Sequence, residues 1–193
     1  MSTGTFLVRA IACIKPVTPA AEAAGAAAAV PGAPQQLEPD QNPVVDLLGN
    51  GLMVVYLVDE GDRYVWVQHR HLRAINANPR GLMEFGLVNL KRLAQGKLKV
   101  MDHGAIHGLL LDGQFEASLI LIDELWDQAL AKMTPNGAVV ALPARDVLAF
   151  CDAASAQGVR ELRELVQRVL PGNDHPLTDR LYRRVNGAWQ PLP

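Results

Sequence analysis

The sequence predicts an α+β fold: a largely antiparallel sheet built from hairpins, with about three helices packed on it. Two patterns carry this. Short apolar, β-branched runs are separated by turn sequences such as Glu60-Gly61-Asp62, Asp112-Gly113 and Asn186-Gly187. Between them lie three longer segments whose apolar residues recur at helical spacing. Apolar residues make up 49% of the 193, near the globular norm, so a packed core is expected.

In chain order, Thr5–Ile14 is apolar and partly β-branched, and reads as a strand that docks onto the main sheet. Residues 16–36 are dominated by Ala, Pro and Gly and offer no large apolar residue to bury. This predicts a first segment over 1–15, a linker over 16–42 with at most a short Ala helix, and a single domain over 43–193. Gly51–Asp59 is a near-continuous apolar run, which suits a central strand. Residues 60–62 turn the chain, and Arg63–Gln68 forms the second arm of a hairpin.

Asn78-Pro79 opens a helix, because Asn caps helix N-termini well and Pro is tolerated in the first turn. Leu82, Met83, Phe85, Leu87, Leu90 and Leu93 give that helix a broad apolar stripe, and Gly96 ends it. Lys97–Met101 and Ala105–Leu111 read as strands joined around His103-Gly104. Asp112-Gly113 signals a further hairpin turn. A helix is predicted from Ser118, with Leu119, Ile122, Trp126 and Ala129 on one face and Asp123, Glu124 and Asp127 on its solvated side. Ala138–Leu142 is a buried strand, broken by Pro143-Ala144-Arg145-Asp146 before Val147–Phe150 resumes. Val159–Leu170 has the clearest helical periodicity, and the chain ends in a hairpin around Asn186-Gly187.

The net charge of −2 argues against a general nucleic-acid binder. The charges are uneven. Arg63 to Lys99 holds eight basic residues against the acid Glu84, whereas Asp102 to Asp152 holds eight acids against Lys132 and Arg145. Mutual attraction within one fold is the simplest reading; a basic docking face for an anionic partner is the sharper one. The two cysteines, Cys13 and Cys151, form no CxxC pair and fit a reducing compartment. No apolar run reaches the about 18 residues of a membrane span, so a cytoplasmic location is expected, with no membrane partner.

Five segments taken together resemble a known family: GLMVVYLVD (51–59), GLVNL (86–90), FEASLIL (115–121), VVALPARDVLAF (139–150) and TDRLYRRVNGAW (178–189). In this order and spacing they are similar to the YtpQ-like family of uncharacterised bacterial proteins, a domain of unknown function. The resemblance covers residues 43–190 or so. It implies a soluble bacterial cytoplasmic protein and supplies no reaction, cofactor or catalytic residue.

Four residues are candidate ligand contacts. Glu116 lies at the edge of an aliphatic run, where a carboxylate is either exposed or salt-bridged, or else functional. Arg145 and Asp146 interrupt an apolar segment, so the pair either leaves the sheet or is paired within it. Arg145 can hold a carboxylate or phosphate bidentately. Asn89 is an amide in an otherwise apolar helical stretch. His103 and His107, with Asp102 and Asp112, have spacing open to a metal, but the HEXXH pattern and a thiolate pair are missing, so no metal is expected. No glycine-rich phosphate loop and no GxSxG elbow occurs, and no cofactor is expected.

These features favour a non-catalytic binding or protein-interaction module with an acidic or protein partner. The alternative is a small-molecule enzyme or anion-ligand-binding protein using Glu116, Arg145 and Asp146. Catalytic activity stays open, as does assembly into a homo-oligomer.

Overall fold

The computed structural model describes residues 3–17, 38 and 40–193. The Ala/Pro-rich segment expected to be a linker lies largely outside these residues. The fold is α+β, and its strands pair antiparallel throughout. They divide between a four-stranded and a six-stranded sheet. The chain separates into two compact units, Met1–Leu93 and Ala94–Pro193, with one sheet in each.

The first unit is organised around β3 (Leu52–Asp59). Its residues from Leu52 to Tyr56 are buried without interruption, as the continuous apolar run requires. A short helix α1 (Thr3–Leu7) precedes strand β1 (Ile11–Pro16), so the strand begins later than Thr5. β1 pairs with β3 from Ile11↔Leu57 to Pro16↔Leu52. The opposite edge of β3 is shared by β2 (Val45–Leu47) and β4 (Tyr64–Trp66). Two helices follow, α2 (His69–Arg73) and α3 (Arg80–Ala94). Asn78 caps α3 as its residue type predicts, its Oδ1 accepting the Arg80 amide at 3.0 Å. α3 approaches β1 closely at Gly86, where an added Cβ would lie 3.0 Å from the Ala12 Cβ.

The second unit holds β5 (Lys99–His103), β6 (Ile106–Leu110), β7 (Ala138–Ala144), β8 (Val147–Asp152), β9 (Leu181–Val185) and β10 (Ala188–Leu192). Their order across the sheet is β10-β9-β7-β8-β6-β5. Pro191 is tolerated because β10 is an edge strand, where a missing N–H costs no ladder bond. The helix α4 (Ala156–Val169) packs on β7 and β8, burying Leu162 and Val166 against Val139, Ala141, Ala149 and Cys151. Ser155 starts it by accepting the Gly158 amide at 3.0 Å.

Two local expectations are corrected. Asp112-Gly113 does not connect a hairpin; β6 pairs with β5 and β8, and the turn leads into a loop. Nor is there a regular helix from Ser118. The chain forms a 3₁₀ turn over Ala117–Leu121, an extended residue at Ile122 and a π turn over Leu125–Ala129. Residues Phe115 to Ile120 are all buried, so the first part of this stretch has no wet face, whereas Asp123, Glu124, Asp127 and Gln128 after it are exposed. The indole N–H of Trp126 donates to the Leu119 carbonyl and that of Trp189 to the Ile120 carbonyl, each at 3.0 Å. These are carbonyls that an α-helix would offer to amides four residues on.

Candidate functional site

Within the first unit, α1, α2 and α3 enclose an apolar groove with a cavity of about 510 Å³. Leu72 and Leu82 are buried at its base, and Leu7 closes one side. Val8, Ile75 and Phe85 line it while remaining 46%, 44% and 45% exposed. Large apolar side chains are normally buried, so three such groups around one cavity are notable. Arg70, Arg73 and Arg80 are exposed on the same helices. The N-terminus of α2 is fixed by a reciprocal cap, in which the Gln68 amide donates to His71 Nδ1 at 3.1 Å. The His71 ring also meets Phe6 of α1 edge-on at 4.7 Å. Burial and then the neighbouring Arg70 hold its pKa below the usual histidine value, which favours the neutral ring.

Asn89 is placed on α3, where its amide donates to the carbonyls of Val8 and Ala10, both at 2.8 Å. Its Oδ1 accepts from Arg92 at 3.1 Å. The side chain ties the chain between α1 and β1 to α3, and so helps position one wall of the groove. Deeper in the unit, the Tyr56 hydroxyl is bonded to the Asp46 carboxylate; burial and that carboxylate raise its pKa, so it stays protonated.

Glu116, Arg145 and Asp146 belong to the second unit. Glu116 is 3% exposed, and its Oε1 accepts the amides of Leu111, Asp112 and Gly113 at 2.9, 3.0 and 2.7 Å. Asp112 in turn accepts the amides of Gln114 and Phe115 at 3.0 and 3.2 Å. The loop is thus organised around two carboxylates, and Gly113 supplies the positive φ of +79° that its turn needs. Arg145 and Asp146 form the tight turn between β7 and β8. The Arg145 carbonyl accepts the Ala117 amide and its own amide donates to His175, each at 3.1 Å. Its backbone therefore sits one residue from Glu116, while its Nε is buried without a hydrogen-bond partner among the described residues. Asp146 is exposed and accepts from Asn173 at 3.4 Å.

The sequence reading missed Arg184 of β9. Its side chain is only 7% exposed and is held by two carboxylates. Nε and Nη2 bond Asp127 at 2.8 Å each, and Nη2 also bonds Asp123 at 2.9 Å. The guanidinium lies 5.4 Å from the centre of the Trp189 ring. Trp189 meets Trp126 edge-on at 5.0 Å, and Trp126 meets Phe150 likewise at 5.6 Å. The Arg184 hydrogen bonds hold the Asp127 carboxyl below the usual carboxylate range. Asp123 and Asp127 were expected to be simply solvated. No local pattern reveals their partner, which lies 61 and 57 residues away in sequence.

His107 Nδ1 lies 3.6 Å from the Asp102 carboxylate across the β5–β6 pair. Among the described residues, no group of three or more His, Cys, Asp or Glu side chains is placed to hold a metal ion. Among them, too, no helix is long and apolar enough to cross a membrane.

No family model matches the chain, and no solved structure matches it. Over 139 residues, 72% of its length, the chain is 26% identical to UPF0354 protein BH3252 of Halalkalibacterium halodurans, a bacterial protein whose name states no activity. The chain spans about half the length of this curated relative, 52%.

Proposed function

We propose that this chain is a non-catalytic binding module, and that its first unit docks an acidic, apolar-faced segment of a partner protein. The observation that carries the reading is the groove of about 510 Å³, with Val8, Ile75 and Phe85 left exposed at its edge. Burying three such side chains against a partner contributes several kcal/mol at about 25 cal/mol per Å². Arg70 and Arg80 supply charge that selects an acidic partner and speeds its encounter, whereas Arg73 already faces Asp40 at 3.9 Å. The alternative, an anion site made by Glu116, Arg145 and Asp146, draws less support, because Glu116 Oε1 already accepts three backbone amides.

Membership of the YtpQ-like family and a bacterial cytoplasmic location are part of the same proposal. The five segments at 51–59, 86–90, 115–121, 139–150 and 178–189 support the first, and Cys13 and Cys151, both buried as thiols, support the second.

The test is fluorescence anisotropy of the full chain with a labelled amphipathic peptide that carries Leu and Phe on one face and Glu on the other. A lysine-faced peptide of the same apolar sequence is the control. Gly81 lines the groove and a Cβ there meets open space, so Gly81→Trp obstructs the groove without forcing a clash in α3. Saturable binding of the acidic peptide, at least about tenfold weaker with Gly81→Trp, is expected. Equal binding of both peptides, or none, overturns the proposal. Laurate binding without peptide binding replaces it with a small-molecule anion site.

A further inference from the structure

The two edges of the six-stranded sheet differ, and from that difference we propose a symmetric dimer in which β5 pairs antiparallel with β5 of a second copy of this chain. At one edge, Pro191 of β10 lacks an N–H, a device that discourages further strand pairing. The other edge is β5, and it carries no such guard. It contains no Pro, and its register with β6 runs from Lys99↔Leu110 to His103↔Ile106 without a bulge. All five of its residues are exposed, and the apolar Val100 and Met101 are 41% and 42% so. Leu110, on the same face as Met101, is exposed too. Among the described residues no strand pairs with the outer side of β5.

The hairpin turn fixes which backbone groups point outward. Gly104-Ala105 joins β5 to β6, and Gly104 takes a φ of +81° at the first central position, as a type II′ turn requires. The Ile106 N–H therefore donates to the His103 carbonyl, and hydrogen-bonded pairs alternate from there. His103, Met101 and Lys99 spend their backbone groups on β6. Val100 and Asp102 turn theirs outward, and outward N–H and C=O groups in this spacing are met by an extended strand. The pattern of β5 is complementary to itself. Met101 is its midpoint, so a two-fold axis there pairs all five residues. Val100 and Asp102 then exchange four hydrogen bonds with their counterparts, and Met101 faces the same residue of the second copy. Lys99 lies at one end and Asp102 toward the other. Antiparallel pairing sets each basic end beside an acidic one, whereas parallel pairing would oppose like charges. One short strand pair falls below the about 1,200 Å² at which stable interfaces begin, so the dimer is concentration-dependent.

This interface is independent of the groove in the first unit. Its test is sedimentation velocity of the full chain between about 1 and about 500 μM, where a monomer–dimer equilibrium is expected. Val100→Pro removes an outward N–H, which an edge strand tolerates without losing its bonds to β6. It is expected to raise the dissociation constant at least about tenfold while the far-ultraviolet spectrum is unchanged. Met101→Cys tests the register. Its two Cα atoms would lie about 4.5 Å apart across the axis, within reach of a disulfide, so mild oxidation is expected to give a covalent dimer. Lys99→Cys would lie about 13 Å from its counterpart and is expected to stay uncrosslinked. The native Cys13 and Cys151 are buried and do not compete. A chain that is monomeric at every concentration, a dimer undiminished by Val100→Pro, or Met101→Cys crosslinking no faster than Lys99→Cys each overturns the proposal.

Discussion

Glu116 Oε1 accepts the Gly113 amide at 2.7 Å, the shortest of three backbone hydrogen bonds made by that one oxygen. A carboxylate that closes its own loop this way is an internal replacement for a partner strand. It explains why an acid can be 3% exposed at the edge of an aliphatic run. Glu116→Ala removes the acceptor from three amides at once, and a loss of about 2–3 kcal/mol in unfolding free energy is expected. Glu116→Gln keeps a neutral acceptor and is expected to lose about half as much. Urea denaturation monitored by tryptophan fluorescence measures both. A Glu116→Ala protein as stable as the parent would show that the loop is held by other contacts.

Asn89 plays the corresponding part in the first unit, donating to Val8 and Ala10 across about 80 residues of sequence. Asn89→Asp replaces the double donor with an acceptor facing two carbonyls. It is expected to destabilise by about 2 kcal/mol and to speed amide hydrogen exchange over residues 8–12 before the rest of the unit opens. Uniformly accelerated exchange throughout the unit would refute this local role.

Gly158 sits inside α4, where alanine normally stabilises a helix by about 1 kcal/mol. Here an added Cβ would lie 2.6 Å from the Ala105 carbonyl oxygen and 2.7 Å from the Cys151 Cβ. Both are backbone-anchored, so the clash outweighs the propensity gain. Gly158→Ala is expected to lower stability by about 1–3 kcal/mol, read from the midpoint of thermal unfolding. A rise in the midpoint would mean that α4 can shift off the sheet at little cost.

His71 gives the protein an acid-sensitive point. Its pKa is lowered from the ordinary 6.5 by burial and by Arg70, so the folded state holds the neutral ring. The unfolded chain therefore takes up the proton first as pH falls. The stabilising contribution is complete above 6.5 and is lost progressively as pH drops from that value toward the folded one. The melting temperature is expected to decline as pH falls below about 6.5, and less steeply in His71→Gln. Identical pH profiles for the two proteins would place the acid sensitivity elsewhere.

The sequence by itself determined the α+β class, the strands at 51–59 and 138–142, the Asn186-Gly187 hairpin and the extent of α3 and α4 to within a few residues. These depend on periodicity, capping and turn chemistry, all of which act within a short window. Cys151 is a buried thiol, and burial, then Asp152 and Glu161, push its pKa up to about 11. Tertiary structure decided the rest. Residues 117–129 have helical spacing, yet the indoles of Trp126 and Trp189 take the Leu119 and Ile120 carbonyls and divide the segment into two turns. Asp112-Gly113 is a sound turn signal, but whether a hairpin follows depends on which strand β6 finds beside it, and it finds β5 and β8. Arg184 became the centre of a charged cluster only because β9 lies where Asp123 and Asp127 can reach it. Each of these outcomes joins residues far apart in the chain, and no local pattern encodes such a contact.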